Sequence, residues 1–267
     1  KLPETNATGR ATRGAAQAFL MRVNLLTGDY AGAESMANTI ISGGKYAMPD
    51  LSYEESFLKA NQYNSEVIFT TEHVKPGYSM WFGAYMSNGY GGWSSIVPTK
   101  DLADAYETKN GLTTDEDPTF NPENPYVNRD PRLKATILYP GQAYGIYADK
   151  GFGSLVKGDV DHGLTANNAT HTGFNFKKFY SDLSEYDDYW DAARNFPVLR
   201  YAEVLLSYAE AKIEQGKVDA SVYDAINQVR TRAGMPNVDE AKYNTADKLR
   251  ELVRRERRVE FAYEGMR

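Results

Sequence analysis

Between Gly77 and Trp93 the chain reads Gly-Tyr-Ser-Met-Trp-Phe-Gly-Ala-Tyr-Met-Ser-Asn-Gly-Tyr-Gly-Gly-Trp. This segment holds two of the three tryptophans, three tyrosines and five glycines. No period of 2 or 3.6 organises the rings, so neither a strand face nor a helix face accounts for them. Flat aromatic rings on a glycine-rich loop suit stacking against a flat-faced ligand. The C–H face of a pyranose fits such a ring, while Asn side chains and Tyr hydroxyls reach its hydroxyl groups. The candidate ligand-binding residues are therefore Trp81, Tyr85, Asn88, Tyr90 and Trp93. A second reading, in which the rings only pin the loop to the scaffold, stands beside it. The whole chain leans the same way, with 20 Tyr against 11 Phe. Tyr joins an apolar face to a polar handle and suits half-wet surfaces better than dry cores.

Groups that would do other chemistry are sparse. The chain has no cysteine, which removes disulfides, thiolate metal sites and cysteine nucleophiles. His73, His162 and His171 form no H-E-x-x-H pair, and no metal site is expected from them. There is no phosphate loop of the G-x-x-x-x-G-K-[ST] type and no G-x-S-x-G elbow, and Gly151-Phe152-Gly153 reads as a turn. Asp159-x-Asp161-x-Gly163 hints at a calcium turn but lacks the remaining ligands of an EF-hand loop. The run Glu185, Asp187, Asp188, Asp191 reads as a solvated loop. A glycosidase needs two carboxylates set across a cleft, which counting alone does not exclude. A net charge of −6 argues against a nucleic-acid partner. No run approaches the ~20 apolar residues of a membrane span. No cofactor is expected.

The elements that would position the aromatic loop are mainly helical. Thr8 to Gly44 reads as a hairpin: Ala11, Ala15, Ala18, Leu25 and Leu26 mark one helix face, and Gly28-Asp29 breaks it. Ala33, Met36, Ala37, Ile40 and Ile41 mark a second helix. Arg200 to Gly234 repeats the pattern. With Gly28 set on Gly216, Leu25 falls on Ile213, Ala18 on Leu206, Ala37 on Ala225 and Ile41 on Val229. Both units read as helix, glycine turn, helix, as in tetratricopeptide repeats, but they lie much further apart than the ~34 residues of a tandem array. Residues 66–193 therefore read as a loop-rich ligand-binding insertion between scaffold segments 8–44 and 200–267, within one domain spanning 1–267. Within it, Glu66–Glu72, Ala135–Tyr139 and Gly173–Tyr180 are expected strands, and Asp101–Tyr106 a short helix. Thr245–Arg267 is expected as one helix. Its Glu256, Glu260 and Glu264 are spaced at i, i+4 and need cations, which Arg254, Arg255, Arg257 and Arg258 are expected to supply.

Five ordered blocks carry a family resemblance. They are Gly9-Arg-Ala-Thr-Arg-Gly14-Ala-Ala-Gln-Ala-Phe-Leu with the Thr27-Gly-Asp-Tyr-Ala31 turn; Ile96-Val-Pro98-Thr99-Lys-Asp-Leu102, followed by Ala105-Tyr106-Glu and Gly111; Phe196-Pro-Val-Leu-Arg200 through Glu203 to Glu210-Ala; Ala225-Ile-Asn-Gln-Val-Arg230-Thr-Arg-Ala-Gly234; and Arg255-Glu256-Arg-Arg-Val-Glu260 through Glu264 to Arg267. Over nearly its whole length the chain resembles the SusD/RagB-like outer-membrane glycan-binding proteins of Bacteroidetes. The resemblance implies a mainly α, SusD-like fold of tetratricopeptide-type hairpins with a loop-rich insertion and a few short strands.

It also implies a non-catalytic, surface-exposed lipoprotein of the outer membrane that captures oligosaccharides for a SusC-like TonB-dependent transporter. Family stacking aromatics lie in the loop before the Pro-Thr block, which here means Trp81, Tyr85, Tyr90 and Trp93, matched by location rather than by motif. Family members are longer. The chain thus reads as a fragment lacking the N-terminal part, with its lipidated cysteine and its share of the sugar site, and the continuation of the last helix. A helical scaffold that binds a protein or peptide, and then a glycoside hydrolase, are the competing readings.

Overall fold

A computed structural model describes residues 2–266. In chain order the elements are α1 (Arg13–Thr27), α2 (Tyr30–Ser42), α3 (Tyr53–Ser56), β1 (Val67–Thr71), α4 (Lys100–Ala105), α5 (Pro131–Thr136), β2 (Ile137–Leu138), β3 (Asn175–Phe176), β4 (Phe196–Arg200), α6 (Tyr201–Glu214), α7 (Ala220–Arg232) and α8 (Ala246–Glu260). The fold is mainly helical with a few short strands. Its residues fall into two units: 1–52, 62–72 and 195–267 form the first, and 53–61 with 73–194 the second.

The first unit is built from two helical hairpins and α8. Thr12 caps α1 by accepting the Ala15 amide, and Asp29 caps α2 by accepting the Gly32 amide at 3.0 Å. The two glycine turns share one geometry. Gly28 (φ +80°) donates to Leu25 O while Asp29 N–H reaches Asn24 O; Gly216 (φ +73°) donates to Ile213 O while Lys217 N–H reaches Lys212 O. This pair of bonds, with a left-handed residue after the helix, is the Schellman stop. A Cβ at Gly28 would meet nothing, so only its backbone angle demands glycine. Gly28→Ala is expected to cost about 1 kcal/mol, the left-handed penalty of an L-residue, read as a shift in urea midpoint with unchanged slope.

Helix α6 is the hub, packing against α1, α2, α7 and α8. Ala202, Val204, Leu206, Ala209 and Ile213 are fully buried on it, and Ala18 and Ala37 bring α1 and α2 into the same core. The buried face of α1 runs Gly14, Ala15, Ala18, Met21. Leu26, expected on that face, is 80% exposed because it lies off the stripe that Ala15 and Ala18 mark, two residues before the cap. Strand β1 pairs antiparallel with β4 through an irregular register. The Glu66–Glu72 segment thus builds the helical unit rather than the insertion in which the sequence placed it.

Three expected elements end differently, the Gly173–Tyr180 strand shrinking to the two residues of β3, Asn175–Phe176. The Ala135–Tyr139 strand is half helix: Asp130 accepts the Arg132 amide and Pro131 opens α5, which runs to Thr136 before β2 pairs with β3. The C-terminal helix stops at Glu260, with Tyr263 (φ +66°) and Gly265 (φ +72°) turning the chain; Arg267 lies outside the described residues. That turn brings Glu264 onto Arg200, whose Nε and Nη2 lie 2.7 and 2.8 Å from its carboxylate. The carboxylates of the last helix take cations from elsewhere. Glu256 meets Arg230 at 3.0 Å, and Glu260 meets Arg200 and Arg232. Of the helix's own arginines, Arg254 goes to Glu214, Arg257 to Glu210, and Arg255 to the Tyr243 hydroxyl. Among the described residues no helix is long and apolar enough to cross a membrane.

Candidate functional site

The aromatic loop belongs to the second unit, where backbone bonds lay it beside residues 189–192. Met80 and Ala192 exchange hydrogen bonds at 2.8 and 3.0 Å, and Gly83 N–H donates to Tyr189 O at 2.9 Å. On its other side Gly83 O accepts the Trp93 amide at 2.9 Å, and Ala84 O accepts Ser95 N–H. Phe82 and Met86 point inward and are fully buried, with Phe82 edge-on to Tyr186 at 5.0 Å. Anchored this way, the segment turns its indoles outward: Trp81 is 60% and Trp93 50% exposed.

The third tryptophan joins them. Trp190, 36% exposed, lies 4.7 Å from Trp93 between ring centroids, with the planes inclined at 59°. Its indole rests on Gly83, where a Cβ would come within 2.3 Å of the ring. Asp188 accepts the Trp190 amide at 2.7 Å and shapes the turn that delivers it. All three tryptophans therefore lie on these hydrogen-bonded segments, with Trp93 and Trp190 in ring contact. Gly83→Ala is expected to lift Trp190 away from Trp93 at a cost of about 1–3 kcal/mol for the overpacking. A changed tryptophan emission spectrum in a folded variant checks it.

The other expected site residues are half-buried. Tyr85 N–H donates to Phe82 O at 2.8 Å, its carbonyl accepts the Asn175 side chain at 3.3 Å, and the residue is half-buried. Asn88 donates its amide to Val160 O. Tyr90 accepts the Ile146 amide at its hydroxyl (2.9 Å) and packs edge-on to Tyr147 at 5.5 Å. The polar groups of Asn88 and Tyr90 thus hold the loop in place. Burial raises the Tyr90 hydroxyl above the ordinary tyrosine value, so it stays a neutral acceptor and donor. Trp190 escaped the sequence reading because its neighbours are acidic and aperiodic; a third tryptophan after Asp187-Asp188-Tyr189 was the only signal.

The acidic residues have structural partners. Glu185 accepts the Lys59 and Ala60 amides at 2.7 and 3.0 Å, and Asp187 pairs with Lys75 on the surface. Asp159 pairs with Lys150 at 2.9 Å and accepts the Asp161 amide. Asp161 accepts Gly89 N–H and the Tyr147 hydroxyl. The described residues contain no cluster of His, Asp or Glu able to hold a metal ion.

Residues 59–267 match the model of the SusD family. The chain belongs to the SusD family. Among solved structures it is similar to a SusD-like carbohydrate binding protein from Bacteroides fragilis, at 34% identity and a TM-score of 0.85, covering 99% of this chain and 53% of that one. A second SusD-like protein from the same organism is 32% identical with a TM-score of 0.80, covering 98% and 55%. Among curated proteins, SusD-like protein P2 of Formosa agariphila is 26% identical over 296 residues, covering all of this chain and 51% of the relative. This SusD-family chain therefore spans about half the length of the relatives it matches. Its strongest sequence blocks lie in the helical unit, around Arg200, Arg230, Arg232, Glu256, Glu260 and Glu264, whereas the tryptophan patch lies in the other unit.

Proposed function

We propose that this chain is a non-catalytic glycan-binding protein whose tryptophan patch stacks against the pyranose faces of an oligosaccharide. One observation carries the reading: Trp81, Trp93 and Trp190 all stand partly exposed on one segment pair, with Trp93 and Trp190 in contact. Apolar rings left in water at this density mark a binding surface. Family membership supports the ligand class, and one relative is named a carbohydrate binding protein. Trp81, Trp93 and Trp190 make the stacking contacts, Tyr85 adds a half-exposed ring, and Asn88 and Tyr90 hold the loop while offering their edges.

The wider setting follows the family. The chain forms part of one SusD-like domain in a surface lipoprotein of the outer membrane, which passes captured oligosaccharide to a SusC-like TonB-dependent transporter. Affinity electrophoresis against a polysaccharide panel tests the binding, and a reducing-sugar assay on the same incubations tests the absence of catalysis. Retarded migration with no sugar released is the expected result. Release of reducing sugar by the purified protein, or no retardation by any glycan, would overturn the reading. Co-purification with a TonB-dependent transporter from native membranes tests the partner.

A further inference from the structure

Asp161 is 1% exposed, yet its two carboxylate oxygens are directed at the aromatic loop. One accepts the Gly89 amide at 2.9 Å, and the other accepts the Tyr147 hydroxyl at 2.6 Å. The Tyr147 hydroxyl also lies 2.7 Å from Ser87 Oγ, and Asn88 donates to Val160 O beside Asp161. Three successive loop residues are thus fastened to one carboxylate and its neighbours. There is no slack at the junction, since a Cβ on Gly89 would come within 2.3 Å of the Tyr147 hydroxyl and 2.8 Å of the Asp161 carboxylate. The fastening reaches Trp93 through a short closed turn. Ser87 O accepts both Tyr90 and Gly92 amides at 3.1 Å, Met86 O accepts Ser94 N–H at 3.0 Å, and Gly92 is pressed against the Met86 carbonyl.

We propose that Asp161 is the positioning residue of the tryptophan patch, its buried carboxylate fixing the Ser87–Gly92 turn and so the height and tilt of Trp93 against Trp190. The consequence for ligand affinity rests on the glycan-binding reading above; the positioning itself does not. Ionised, Asp161 accepts at both oxygens. Protonated, one oxygen becomes a donor, and the Tyr147 hydroxyl must turn its proton toward Ser87, which loosens the grip. Burial pushes the Asp161 carboxyl up. The bonds from Tyr147 and Gly89 oppose that rise, neighbouring Asp159 adds to it, and Lys150 opposes it. The remaining titratable groups around it are Tyr90, and His162 beside Asp159. Acidification therefore reaches this carboxylate before ordinary ones.

The test needs no ligand at first. In the wild-type chain, tryptophan emission and acrylamide quenching are expected to change on acidification at a pH above the ordinary aspartate value. Asp161→Asn should hold the acid signature at neutral pH, flat across that window, with Gly89 amide exchange about tenfold faster. Asp161→Glu should restore part of the pH response. Tyr147→Phe, which keeps the ring and removes the bridging hydroxyl, should move emission and exchange the same way by less, and it serves where Asp161→Asn does not fold. Folded variants with wild-type emission, Gly89 exchange and pH profile overturn the proposal. Maltohexaose and cellohexaose titrations form the second arm. Weaker binding by Asp161→Asn extends the proposal to affinity, whereas no binding by wild type of either hexaose or of any panel glycan, with the fluorescence results intact, removes the glycan reading alone.

Discussion

Trp93→Ala and Trp190→Ala should each weaken oligosaccharide binding by about 1–3 kcal/mol, the scale of losing one aromatic stacking partner. That corresponds to roughly five- to 150-fold in Kd. The two losses should not add. The rings lie 4.7 Å apart, so removing either changes the tilt of the other, and close pairs couple. The double variant is expected to fall short of the sum by an amount a double-mutant cycle measures. Stability should move little for Trp93→Ala, because half of its surface already faces water. Trp190→Ala should destabilise more, since it uncovers Gly83. Isothermal titration with each variant, beside thermal melts, separates the two effects. If both single variants bind as tightly as wild type, the ligand sits elsewhere and the patch serves another partner.

The scaffold was legible in the sequence because its information is local and repeated. Helical spacing of Ala and Ile, and a glycine at each turn, specify the hairpins, and both glycines make the same stop. What failed did so where a local signal met a stronger one. Ala135–Tyr139 has strand composition, but the Asp130-Pro131 cap starts a helix that runs into it. The last helix keeps helical residues past Glu260, yet the chain turns there and delivers Glu264 to Arg200. Arginines beside glutamates on one helix looked like partners, and tertiary packing brings Arg200, Arg230 and Arg232 to those glutamates from other elements.

The candidate site was legible only as a composition. Which rings face water depends on the bridge between Met80 and Ala192, a pairing across the chain that no spacing rule encodes. Hence Trp81 and Trp93 emerged exposed, Asn88 and Tyr90 became fasteners, and Trp190 arrived unannounced from an acidic loop. Several of the blocks that carry the family resemblance hold buried, paired charge at Arg200, Arg230, Glu256, Glu260 and Glu264. A stacking loop needs only flat rings, and many sequences supply those.

Arg200→Met should cost about 3–5 kcal/mol of folding stability at neutral pH, the range for breaking a buried pair from one side. Arg200 Nη1 contacts Glu66 and Glu260 at 2.6 Å each, and its other nitrogens grip Glu264. All three carboxylates are buried. Without Arg200, Glu66 and Glu260 lose one of their cations, and Arg232 keeps its contacts to both. The pH dependence carries a definite sign. Burial by itself would raise the Glu66 carboxyl, but Arg232 and Arg200 outweigh it and hold the group below its ordinary value. In the wild type this contributes stability that is present above the ordinary glutamate value and is lost as pH falls through the depressed one. In Arg200→Met the Glu66 carboxyl should take up its proton at higher pH, because burial is then opposed by one cation fewer. The gap between variant and wild type should therefore narrow in mild acid, where protonation of Glu66 removes a charge that Arg200 no longer answers. Urea melts across that range check it. Adding Glu264→Gln to Arg200→Met should recover part of the loss at neutral pH by removing one of the buried charges that Arg200 gripped. A gap that stays constant with pH, or a loss well under 1 kcal/mol, would mean that the helical unit is held by its apolar hub at α6 and that the charges are incidental to it.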